Sequence, residues 1–320
     1  MRGSALIAVL WLVAALSAIA FALASTVRSE TGRVTTAADG LKAYYLATGA
    51  VDRALLYVLW GRAYRNPDGS SRYYDGAPYL HFQFPSGQAV AEVIPELSKL
   101  NVNYAPPEEL YQLAVALGAG PERARQVALG IVDWRTPALG QPDASPEFSL
   151  AGPSSFRPRH ASFEEIEELL LVKGMTPELF YGTYERDAQG RLAPRRGMRD
   201  CLSVYGSTGP LDANTAEPAA MAATGVPPDT ISALLQVRRQ APILRMEQLN
   251  ALGAGPSGAA RLGLVTSSTF TIRATAQTRL PDGTLSDARR SVAMLVKLLD
   301  RSQFAEPYHV LRWYGNVWAE

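Results

Sequence analysis

The strongest constraint on this chain is a run with no charged side chain from Gly3 to Val27, preceded by Arg2 and followed by Arg28, Glu30 and Arg33. At about 1.5 Å of rise per residue, roughly two dozen helical residues cross a hydrocarbon layer about 30 Å thick. The run therefore reads as a membrane-spanning helix. Its only early positive charge precedes it, so the positive-inside rule leaves the N-terminus in the cytoplasm and carries the rest of the chain across the membrane. Two simpler readings stand beside a specialised one: Ala22-Leu23-Ala24 has the small-x-small form of a secretory cleavage site, and the segment also suits a permanent single-span anchor.

The helical pattern continues past the membrane. Leu41, Tyr44, Tyr45, Thr48, Val51, Leu55 and Leu59 recur at three- and four-residue spacing, predicting an amphipathic helix that ends near Gly61. Gly40 and Gly49 each weaken it by about 1 kcal/mol relative to alanine, which leaves a bend open there. Asn66-Pro67-Asp68-Gly69-Ser70 reads as a loop. Tyr79 to Phe84 and Ala89 to Ile94 flank Pro85-Ser86-Gly87-Gln88 as a hairpin. Near the other end, Thr269 to Gln277 alternates in polarity, Pro281-Asp282-Gly283-Thr284 turns, and Arg290 to Leu298 and His309 to Tyr314 return. Three antiparallel strands with one apolar face can cover a helix.

Between these parts, residues 101–264 turn helical and repeat. Asn103-Tyr104-Ala105-Pro106-Pro107 is echoed by Asn214-Thr215-Ala216-Glu217-Pro218, each an asparagine cap candidate before a proline-led helix. Glycine turns recur at Gly118, Gly174, Gly225 and Gly253, and the second helices end in Arg135 and in Arg238-Arg239. The pattern predicts duplicated helical hairpins in one subdomain. Hairpins of this kind hold DNA phosphates on backbone N–H groups at a helix start. Here acidic residues follow the turns and Glu164, Glu165, Glu167 and Glu168 crowd one stretch, so the cations that phosphate binding needs are missing.

Lys and Arg number 31 against 30 Asp and Glu, so no overall field recruits nucleic acid or anionic lipid to the whole molecule. The one cysteine, Cys201, forms no intramolecular disulfide and reads as a buried apolar side chain. His81, His160 and His309 lack metal-ligand spacing and have no nucleophile motif beside them. Glu164-Glu165 and Glu167-Glu168 read as a solvated face. No enzyme chemistry is expected.

Several strings, in this order, carry a family resemblance: the Gly3 junction, Ala43-Tyr44-Tyr45-Leu46-Ala47 with Gly49, Glu96-Leu97-Ser98-Lys99-Leu100-Asn101-Val102-Asn103, Ile131-Val132-Asp133-Trp134, Ile166 to Thr176, Ser203-Val204-Tyr205-Gly206 and Asn214-Thr215-Ala216. The chain resembles the K-type minor pseudopilin of the type II (general) secretion system along nearly its full length.

The resemblance implies an α+β fold: a pilin-like long N-terminal helix on an antiparallel sheet, with a large all-α insertion of helix-hairpin-helix-like repeats. The implied divisions are a leader at 1–3, the membrane half of the helix at 4–27, and its periplasmic half with the first strands at 28–100. The insertion follows at 101–264 and the last strands at 265–320. It also implies cleavage after Gly3 by a prepilin peptidase with methylation of Ser4. At the fifth mature position stands Ala8, where most pseudopilins have a glutamate; K-type members typically lack it.

A subunit without that carboxylate needs no partner above it. The implied role is thus a structural, non-enzymatic tip subunit that starts the pseudopilus with I- and J-type minor pseudopilins, above the major pseudopilin. The secreted protein or the outer-membrane channel is a further contact, and nucleic acid is not a partner. The location implied is the inner membrane, with the bulk of the chain periplasmic. No cofactor is implied. Calcium is the one family metal, but Asp133 and the next acid, Asp143, are weak ligands because Arg135-Thr136-Pro137-Ala138 lies between them. The alternative is a membrane-anchored DNA-binding protein of competence type; a secreted hydrolase ranks third, with no visible active site.

Overall fold

The computed structural model describes residues 2–67, 71–137, 159–186, 190–253, 261–300 and 302–317. One continuous helix, α1 (Arg2–Ala63), runs through Gly40 and Gly49 without interruption. Strands β1 (Tyr79–Phe84) and β2 (Gly87–Pro95) form the expected hairpin. The insertion follows, with β3 (Leu100–Asn101), α2 (Pro107–Ala116), α3 (Pro121–Arg135), α4 (Pro177–Tyr181), β4 (Thr183–Arg186), β5 (Leu192–Arg195) and α5 (Met198–Cys201). It continues through β6 (Leu202–Ser203), β7 (Leu211–Asp212), α6 (Pro218–Ala223), α7 (Pro228–Gln240), α8 (Met246–Ala251) and β8 (Leu262–Gly263). Strands β9 (Thr269–Arg279), β10 (Leu285–Leu298) and β11 (Tyr308–Tyr314) complete the chain. The class is α+β.

The main sheet has five strands in the order β1-β2-β9-β10-β11, all pairs antiparallel. β2 and β9 are neighbours although the whole insertion separates them in sequence. The insertion is mainly helical, and it carries in addition the β4–β5 hairpin and two short parallel pairs, β3–β6 and β7–β8. Proline opens α2, α3, α4, α6 and α7, where its missing N–H removes no helical hydrogen bond.

Among the described residues there are two cores. In the first, α1 buries Ala43, Ala47, Ala50, Val51, Ala54, Leu55 and Val58 against Ala89, Ala91, Val93, Ile272, Ala274, Ala276, Val292 and Val296. Val51 and Leu55 of the expected face are buried here and Tyr44 and Leu59 pack against this core, but the expectation is corrected at two positions. Leu41 and Tyr45 are 57% and 66% exposed, and a mainly alanine stripe faces the sheet instead. Alanine meeting alanine lets the helix approach closely, where leucine and tyrosine would hold it off. The second core belongs to the insertion, around Leu110, Leu113, Ile131, Leu169, Phe180, Met198, Met221 and Leu234.

Candidate functional site

The N-terminal end of α1 projects alone. Residues 7–38 are exposed throughout, and Trp11 and Phe21 reach 73% and 78% exposure. Over roughly twenty residues no described part of the protein covers this apolar surface, which fits a single-pass membrane anchor. Gly3 and Ser4 lie in the first turns of α1, and Ala8 is an exposed position on it.

The insertion leaves the sheet at Pro95, and the residues that root it there come from distant sequence. Glu96, almost fully buried, accepts a hydrogen bond from Thr271 Oγ1 on β9 at 2.6 Å and forms an ion pair with Lys99 at 3.3 Å. One step on, Asn101 donates through Nδ2 to the carbonyls of Val204 and Gly206 at 3.2 and 3.1 Å and accepts from the Asn103 N–H. Backbone bonds from Asn101 N to Ser207 O and from Ser207 N to Lys99 O close the junction. Gly206 is needed here because a Cβ on it would lie 2.5 Å from the Leu100 carbonyl oxygen. The strings Glu96–Asn103 and Ser203–Gly206, separate in sequence, thus form one joint.

Two side-chain clasps repeat across the insertion. Asn103 donates to Phe163 O at 3.0 Å and accepts from Phe163 N at 2.7 Å; Asn214 does the same to Ile243, at 2.9 and 2.7 Å. These asparagines are not helix caps, a correction to the sequence reading: Pro106 and Glu217 occupy the cap positions of α2 and α6. The arginines ending the second helices have matching tasks. Arg135 donates to Val102 O and Ala105 O at 2.6 Å each, and Arg238 donates to Ala216 O at 2.8 Å. Burial pushes the pKa of both guanidinium groups down. The glutamate-rich stretch is also structural, since Glu168 accepts from the N–H groups of Glu164 and Glu165 while Glu165 pairs with Arg312 of β11. Gln248 repeats the first arrangement on Leu244 and Arg245.

A cleft of about 680 Å³ separates the sheet from α6 and α7. Arg196 crosses it between Glu217 at 3.4 Å and Glu92 at 4.0 Å, and Arg273 pairs with Glu92 at 2.5 Å. Burial raises the pKa of Glu217, with Arg196 opposing. Burial likewise drives the fully buried Cys201 thiol well up, which leaves it a protonated core side chain.

The helical hairpins α2–α3 and α6–α7 turn at Gly118 and Gly225, both with positive φ. Glu122 stands in the first turn of α3, beside the exposed Arg123 and Arg125, and Asp229 in the first turn of α7. Asp133 lies in the last turn of α3, with one carboxylate oxygen buried and unpartnered and its carbonyl 3.2 Å from His160 Nδ1. Asp143 lies outside the described residues. Among the described residues no three His, Cys, Asp or Glu side chains gather as a metal site. His81 and His309 lie on β1 and β11.

No family model and no curated protein matches the chain. Among solved structures, the chain is similar to one from the GspK-GspI-GspJ complex of the enterotoxigenic Escherichia coli type 2 secretion system. The identity is 17% and the TM-score 0.48, over 89% of this chain and 97% of that chain.

Proposed function

We propose that this protein is a K-type minor pseudopilin: a non-enzymatic subunit, held in the inner membrane by α1, that starts and caps a type II secretion pseudopilus together with I- and J-type minor pseudopilins. The observation that carries the reading is the build of α1. Its first part is bare and apolar, its second part is zipped by alanines onto an antiparallel sheet, and the bulky insertion leaves from the far end of that sheet. A subunit so built presents an anchor below and a broad head above. The leader junction at Gly3 and Ser4 and the uncharged Ala8 come from the sequence resemblance, and they complete the proposal with cleavage, methylation and the tip position.

The competence-type alternative gains less support. Its hairpins would hold a phosphate at the starts of α3 and α7, where Asp229 opposes it on α7 and Glu122 offsets the nearby Arg123 and Arg125 on α3. The test is photo-crosslinking in the native membrane from a probe at exposed Tyr45 of α1. Adducts with I- and J-type minor pseudopilins, with loss of export when the chain is deleted, support the proposal. Export unaffected by deletion, with no pseudopilin adduct, overturns it.

A further inference from the structure

One acid on α1 has no task in the fold. At 3.6 residues per turn, Leu41, Tyr45, Gly49, Asp52 and Leu56 fall within about 80° of one another, on the side of α1 turned away from the alanines that meet the sheet. Leu41, Tyr45, Asp52 and Leu56 are exposed, and a Cβ on Gly49 would meet nothing within 4 Å. Tyr45 and Leu56 therefore flank a notch that has Gly49 as its floor and Asp52 beside it. The notch lies about 38 Å beyond Val27 along the helix, so lipid does not cover it.

The cations near Asp52 are engaged elsewhere. Arg53 donates to Tyr57 Oη at 3.2 Å and lays its guanidinium over the Phe82 ring, while Lys42 pairs with Asp39. Among the described residues no cation pairs with Asp52, and partial burial pushes its carboxyl pKa up. A cation brought against it would favour the charged form again. The stripe also has a direction. Exposed Leu23, Val27 and Val34 fall in the same arc, so the surface runs unbroken from the bare half of α1 up to the notch. A partner that follows it leaves the bilayer as a helix lying along α1.

We infer that Asp52 and the Gly49 notch receive a lysine or arginine from the N-terminal helix of a neighbouring minor pseudopilin, and that this ion pair sets the axial register of the two helices. The inference rests on the pseudopilin reading above and names the chemistry of the contact. Apolar contacts recur every turn and leave registers about 5.4 Å apart nearly equivalent, whereas a single charge distinguishes them. The absence of a Cβ at Gly49 leaves room for the aliphatic stem of the incoming side chain, which packs between Leu56 and the Tyr45 ring while its charge meets Asp52. In any other register the cation would be buried in an apolar contact without its partner, which costs more than the pair gains.

The full chain, tagged at its C-terminus, is purified from native membranes in mild detergent, and the I- and J-type minor pseudopilins that come with it are quantified. Asp52→Asn should lower their recovery about tenfold and Asp52→Lys should abolish it, whereas Asp52→Glu should keep it. Recovery with the parent should fall as salt rises, and Asp52→Asn should lose most of that dependence. Each variant should melt at the parent's temperature, because Asp52 is exposed and unpaired in the free subunit. Single Lys→Asp and Arg→Asp changes along the partner's N-terminal helix then locate the cation, and one of them should restore recovery with Asp52→Lys. Recovery with Asp52→Lys equal to the parent's, or no restoring change in the partner, overturns the ion pair and leaves the pseudopilin reading standing. A parent chain that brings down neither pseudopilin overturns both.

Discussion

Replacing Asn103 tests whether the insertion is held by its clasps. Asn103→Ala removes a donor and an acceptor at 3.0 and 2.7 Å and strands Phe163 N–H and C=O in a partly buried setting. Two such bonds contribute about 1 kcal/mol each, and leaving their partners unsatisfied adds a similar amount, so the expected loss is about 2–4 kcal/mol. The insertion has its own core, so the loss should appear in its unfolding transition and in faster exchange of the Phe163 amide. Asn103→Asp sharpens the test. It keeps the acceptor for Phe163 N but sets a carboxylate against Phe163 O, which raises its folded pKa above the unfolded value of about 3.9. A group raised on folding gains stability as pH falls, so the deficit against the parent should shrink from about pH 7 toward about pH 4, where a protonated Asp can donate again. A loss below about 0.5 kcal/mol for Asn103→Ala, with a pH-independent deficit for Asn103→Asp, would refute the clasp.

Gly206→Ala should cost about 1–3 kcal/mol by driving a methyl onto the Leu100 carbonyl, read as early exchange of the Asn101 and Ser207 amides. Glu217 has a folded pKa raised above its ordinary 4.5, so the parent loses stability as pH rises above that value; Glu217→Gln should flatten this part of a denaturant-midpoint profile against pH. Ala8→Glu should leave filament assembly and export intact, because a tip subunit has room for a carboxylate that nothing above requires; export assayed in a strain carrying only the variant checks it.

Much of the fold was legible because its signals are local. The uncharged run, the alternation in Thr269–Gln277 and the prolines opening helices each act over a few residues. The alanine face of α1 was missed because its apolar weight is small beside Leu41 and Tyr45, although close helix–sheet packing selects small residues. Asn103 and Asn214 read as caps in the sequence because the pattern before Pro107 and Pro218 suits one. Their true partners, Phe163 and Ile243, lie too far along the chain for any local pattern to reveal. The same order of an Asn before a proline-led helix and an Arg ending the next helix, Asn103 with Arg135 and Asn214 with Arg238, is the available signal, and it points to duplication without saying what each residue holds. Of the site residues, Gly3, Ser4 and Ala8 rest on motif alone, since their chemistry involves a peptidase and neighbouring subunits. Asp143 lies outside the described residues, and among them Asp133 belongs to no group of three metal-ligating side chains.

The most direct test of the central claim is the mass and N-terminal sequence of the mature protein isolated from its native membrane. The account predicts a chain that begins at Ser4 with a methylated amine. Cleavage after Ala24, or an intact Met1, would contradict it.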